Sequence, residues 1–81
     1  MEDVKKDQPV LGHIQRLAAE EHLLYGHSTL SEQDTERLDK IRVELDQCWD
    51  LLRQRRALRD DGRDPDTADI RRPEVVEGYE Q

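Results

Sequence analysis

Leu38, Ile41, Leu45, Cys48 and Leu52 recur at spacings of 3, 4, 3 and 4 residues, and no other feature of the chain restricts its fold as much. That spacing keeps an apolar seam on one side of an α-helix and gives a β-strand no consistent face. A second stripe precedes it: Val10, Ile14, Leu17, Glu21 and Leu24, at spacings of 4, 3, 4 and 3, broadened by Leu11, Ala18 and Tyr25. Composition alone would leave the chain near the border of disorder, with 41% charged residues, 4% aromatic residues and no Phe. Disordered chains do not hold a helical apolar stripe for several turns, so the periodicity decides for a folded helical module.

The punctuation agrees with the periodicity. Asp7-Gln8-Pro9 reads as a helix start, with Asp as cap and Pro in the first turn, where its missing N–H costs nothing. Gly26 is a natural C-cap, and His27-Ser28-Thr29-Leu30 is turn-like. Ser31-Glu32-Gln33-Asp34 resembles a capping box with Asp in place of the usual Glu. Gly62, after Asp60-Asp61, ends the second helix near Arg59. Acid-first pairs at helix-neighbour spacing, such as Asp34–Arg37 and Glu36–Lys40, mark a solvated face. The sequence therefore predicts an all-α fold: a flexible N-terminus (1–7), an antiparallel two-helix hairpin (8–62, helices about 8–25 and 32–59) and an extended acidic tail (63–81).

Folding at residues 28–29 sets Leu24 near Leu38, Leu17 near Ile41, Ile14 near Leu45 and Val10 near Cys48. The first helix then runs out opposite Asp50, and roughly 14 Å of the second overhangs. Leu51 and Leu58 on that overhang point away from the seam, so the hairpin alone leaves them uncovered. Two hairpins forming a four-helix bundle, a homodimer, is the simplest remedy. Docking of the tail on the same chain is the rival: Ile70, Val75, Val76 and Tyr79 are too apolar for a purely solvating segment and would cover Trp49, Leu52 or the overhang.

Candidate sites are sparse. Arg53, Arg55, Arg56 and Arg59 form the sharpest local feature, and Arg56 and Arg59 continue the direction of the seam. Arginines there could grip a phosphate, an RNA strand or an acidic peptide. The competing reading, favoured by Asp60, Asp61, Asp64 and Asp66 nearby, is complementation of the helix dipole at its C-terminus. Glu21, inside the first stripe, is either a buried carboxylate with a task or a seam-edge side chain reaching water. His13, His22 and His27 show no ligand spacing, and Glu20, Glu21 and His22 do not make a Glu-x-x-His pattern. Cys48 sits at a seam position as a small buried hydrophobe. No nucleophile–base pair, phosphate loop or paired-carboxylate constellation stands out, so the expectation is a nonenzymatic protein without metal or cofactor.

Gross properties narrow the setting. No apolar run approaches the roughly 20 residues of a membrane span, and the N-terminal residues lack the apolar core of a signal peptide. The expected location is cytoplasmic. A single cysteine forms no intrachain disulfide. The net charge of −7 argues against broad phosphate-backbone binding, with 3 basic and 8 acidic side chains in residues 60–81.

Asp46-Gln47-Cys48-Trp49-Asp50-Leu51-Leu52-Arg53-Gln54-Arg55-Arg56-Ala57 resembles a short actinobacterial family, domain-of-unknown-function family 2630. The likeness continues through Gly62-Arg63-Asp64-Pro65-Asp66 and Arg72-Pro73-Glu74-Val75-Val76-Glu77-Gly78-Tyr79, with Ala19-Glu20-Glu21-His22 fitting as well. The resemblance implies a small standalone bacterial protein with no assigned activity, and supplies no catalytic residues. The function expected is a noncatalytic interaction or assembly module. It would present Arg53, Arg55, Arg56, Arg59, Leu51 and Leu58 to an unidentified protein partner. The alternatives are a nucleic-acid accessory protein using the Arg53–Arg59 cluster, and a metal-binding bundle using Glu20, Glu21, His22 and Cys48.

Overall fold

The computed structural model describes residues 7–78. Two long helices, α1 (Gln8–Tyr25) and α2 (Glu32–Asp60), pack antiparallel; a single 3-10 turn (Pro65–Thr67) and a short helix α3 (Pro73–Gly78) follow and pack back on α2. No strand occurs among the described residues.

Local chemistry sets the ends of α2. Ser31 has extended backbone, its Oγ accepts from the Asp34 amide at 3.0 Å, and its own amide donates to Asp34 Oδ2 at 3.2 Å. This reciprocal box satisfies two donors that the first helical turn would otherwise leave bare. At the other end Gly62 takes φ +72°, and the amides of Gly62 and Arg63 donate to the carbonyls of Arg59 and Leu58 at 3.0 and 2.7 Å. Only glycine enters that left-handed region without steric cost. Gly26, by contrast, stays right-handed (φ −75°) and closes α1 through amide bonds to His22 and Leu23.

The start of α1 departs from the sequence reading. Asp7 makes no side-chain cap bond, and it is buried rather than part of a flexible N-terminus. Its carboxylate is taken by Arg55 and Arg59, which hold it away from the first-turn amides.

The core is the seam of α2 against the stripe of α1: Ile14 and Leu17 from one, Leu38, Ile41 and Cys48 from the other, with Ile41 fully enclosed. Leu45 and Leu52 are half-buried. Asp50 is buried too, although it lies half a turn out of phase with Ile41. Both sides of α2 are therefore covered, α1 on the seam side and the tail on the other.

The tail is not extended throughout. Asp64 Oδ1 accepts from the Asp66 amide at 2.9 Å and starts the 3-10 turn, and Pro65 and Pro73 stand where a helix start tolerates proline. Between these pieces α2 reads the tail backbone directly: Gln54 donates to the Asp69 carbonyl at 2.9 Å and Gln47 to that of Arg71 at 3.0 Å. Val76 then drops to 2% exposed, while Ile70 (54%) and Val75 (43%) stay in solvent. Tyr79 lies outside the described residues.

Arranged this way, the chain is a slab. Its extents are 48 × 28 × 14 Å and its radius of gyration is 14.9 Å, against about 12 Å for a globule of this length. α1, α2 and the tail lie side by side in one layer, whereas stable domains usually close two packed layers over a core.

Candidate interaction surface on the second helix

One broad face of the slab is closed by charge. Arg37 donates through Nε and Nη2 to the two carboxylate oxygens of Glu20 at 2.6 and 2.7 Å, a planar fork joining α2 to α1. Glu44 stands 4.0 Å from Arg37 Nη1 and 3.8 Å from His13 Nε2. The Arg37 hydrogen bonds hold the Glu20 carboxyl below its ordinary range. His27 Nδ1, 3.1 Å from Asp34 Oδ2, does the same for Asp34, helped by the Ser31 amide.

The opposite face carries two of the exposed large apolar side chains, Tyr25 and Trp49. Helical spacing sets Leu11, Ala18 and Tyr25 across α1 from His13 and Glu20, and sets Trp49 across α2 from Arg37 and Glu44. Since the ion pairs fix the latter residues on one face, the former share the other. Tyr25 is 64% exposed and Trp49 48%. Trp49 belongs to a second stripe on α2, Arg42, Asp46, Trp49, Arg53 and Arg56, whose spacings of 4, 3, 4 and 3 match those of the α1 stripe. Arg42 stands 3.8 Å from Glu77. Arg53 and Arg56 are exposed, and neither has an ion-pair partner among the described residues.

The rest of the arginine cluster turns inward. The basic continuation of the seam is Arg55 and Arg59, rather than Arg56 and Arg59, because Arg55 lies seven residues from Cys48. Arg55 Nε donates to Asp7 Oδ1. Its Nη1 donates to the Pro65 carbonyl at 3.2 Å and to Asp66 Oδ1 at 3.1 Å, with its side chain 8% exposed. Arg59 Nη1 reaches Asp7 Oδ2 at 3.1 Å. The bond to Asp7 raises the Arg55 pKa further above its ordinary value. Arg55 thus ties the start of α1 to the tail, and Arg59 adds a second cation at Asp7, so both guanidiniums are engaged within the chain.

A family model described as a protein of unknown function (DUF2630) matches residues 6–81. The chain belongs to this family. Uncharacterized proteins of Mycobacterium bovis and of two Mycobacterium tuberculosis strains are 51% identical to it over 77 residues, covering 90% of this chain and 88% of theirs. No solved structure matches it. The DUF2630 match spans the N-terminal Asp7, the arginines of α2 and the tail, so one family unit contains every segment of the ionic cluster.

The remaining sequence candidates scatter. Leu51, Leu52 and Leu58 are half-buried, and Leu58 lines a recess with Arg63, Thr67, Ala68 and Arg71, so the tail of the same chain covers part of the overhang. Trp49 stays half-exposed while the tail binds a different side of α2, through Gln47, Asp50 and Gln54; Arg71 Nε lies 3.6 Å from Asp50 Oδ2. Cys48 is buried, and burial, then Glu44, pushes its thiol pKa up, the opposite of what a nucleophile requires. Glu20 is engaged by Arg37, and among the described residues no group of three or more His, Cys, Asp and Glu side chains is disposed to hold a metal. Asp7 was read from sequence only as a helix cap, and Gln47, Asp50 and Gln54 were given no role. Asp46 and Arg42 had a signal available: the second 4-3-4-3 stripe.

Proposed function

We propose that this DUF2630 chain is a noncatalytic assembly module whose working unit is a homodimer closed over the Trp49 face. The observation that carries the reading is the single-layer slab, 14 Å thick, with a half-exposed tryptophan and tyrosine on the broad face that no ion-pair ladder seals. Small domains compensate for a thin core with disulfides, metals or oligomerisation. A lone cysteine forms no intrachain bridge, and a second copy supplies the missing layer. Each broad face measures 48 by 28 Å, on the order of 1,300 Å², more than the roughly 800 Å² per partner of a stable interface. Two hairpins stacked so make a four-helix core flanked by the tails. No described helix is long and apolar enough to cross a membrane, and we place the dimer in the cytoplasm. Trp49 is the sole tryptophan and reports directly. Its emission shifts to the blue, and acrylamide quenching weakens, as concentration rises through the dimerisation range. Emission and quenching independent of concentration, with the indole open to quencher throughout, contradict the reading.

A second reading follows from Arg53 and Arg56 beside Trp49, an aromatic platform with two cations. Salt-sensitive binding of single-stranded RNA, lost on Arg53→Ala with Arg56→Ala, would support it over the first.

A further inference from the structure

Resting on the homodimer reading, we infer that the second copy docks α2 against α2 in antiparallel register about Trp49, with Arg53 of each chain meeting Asp46 of the other. In a two-fold contact between antiparallel helices, a residue displaced toward the C-terminus on one helix meets one displaced equally toward the N-terminus on its partner. With the two-fold axis passing just beyond Trp49, midway between positions 49 and 50, Arg53 of one chain and Asp46 of the other stand equally far from it on either side and come opposite one another. Asp46 is half-exposed and Arg53 fully so, and neither is engaged in an ion pair within the described chain. Each therefore finds its opposite charge on the other copy, and the symmetry makes the pair twice.

The same register brings Arg56 toward Arg42 of the other copy. Glu77, 3.8 Å from Arg42 within its own chain, already offsets that charge. Other occupants fit the stripe less well. An acidic peptide or a nucleic acid answers Arg53 and Arg56 but sets its own negative charge against Asp46, on a chain of net charge −7. A second copy answers both signs at once.

Sedimentation equilibrium of the full chain and three variants, Asp46→Arg, Arg53→Asp and the double exchange, tests the register. Circular dichroism melts of each variant at low concentration verify that these surface changes leave the fold intact. Each single reversal places like charges across the axis twice and weakens the dimer by about tenfold or more. The double exchange restores dimerisation to within about threefold of the unaltered chain. A dimer that neither single reversal weakens, or that the double exchange does not rescue, overturns the register while leaving the homodimer reading intact. An unaltered chain that stays monomeric at all concentrations overturns both. If it then binds a short oligouridylate through Arg53, the surface belongs to nucleic acid.

Discussion

Arg55 joins segments far apart in the chain: Asp7, 48 residues away, and the Asp66 turn, 11 residues on. A guanidinium fits this role because its planar fork serves several acceptors at once from one buried position. Arg55→Met keeps much of the side-chain volume but strips Asp7 of its innermost cation. Removing one partner of a buried pair costs about 3 kcal/mol, which lowers Tm by on the order of 12 °C in a chain this small; a thermal melt measures it. Acid acts on the carboxylates of the other clasps. Glu20 and Asp34 have folded pKa values below their unfolded ones, so their contribution is complete at neutral pH. It is lost as pH falls below about 4, through the lowered values. Asp34→Asn flattens that acid limb in denaturation curves recorded from pH 7 downward. The arginine cluster was legible as a feature, but not its division. Sequence shows seven residues, four of them arginine; only the heptad step from Cys48 marks Arg55 as inward, and nothing marks Asp7 as its partner.

Helix signals are local, which is why α1 and α2 could be read and the tail could not. Caps, periodicity and glycine placement lie within a few residues of the boundaries they set. Six-residue α3 has too few internal hydrogen bonds to stand by itself; it exists because Val76 is buried and because Gln47 and Gln54 hold the backbone leading to it. Val76→Ala should therefore cost about 2 kcal/mol, whereas Val75→Ala, on the solvent side of the same turn, should stay within about 0.5 kcal/mol. Urea denaturation of the pair distinguishes a docked helix from a dangling one: equal effects would contradict docking. Truncation of residues 70–81 should lower Tm further than Val76→Ala, since it also strands the amide of Gln47 and removes Arg71 from beside Asp50.

A single layer of helices is an unusual end point for a folded chain, and its two broad faces differ in kind. One is sealed by the Glu20–Arg37–Glu44–His13 ladder; the other bears Leu11, Ala18, Tyr25 and Trp49 among cations and a carboxylate. The overhang of the second helix was readable from its length, and with it the expectation of an added surface. Which flank of that helix stays open was not readable, because the tail's path decides it, and that path depends on backbone contacts no periodicity encodes. On the proposed homodimer, Trp49→Ser should leave the fold standing but hold the chain monomeric at concentrations where the unaltered chain pairs, since central aromatic anchors contribute about 2 kcal/mol or more to an interface. The most direct test of the missing layer is light scattering of the unaltered chain over a wide concentration range. A closed dimer gives a mass of twice 9.6 kDa, falling toward that of one chain only on strong dilution. A particle that remains 9.6 kDa at millimolar concentration, fully folded, would contradict it.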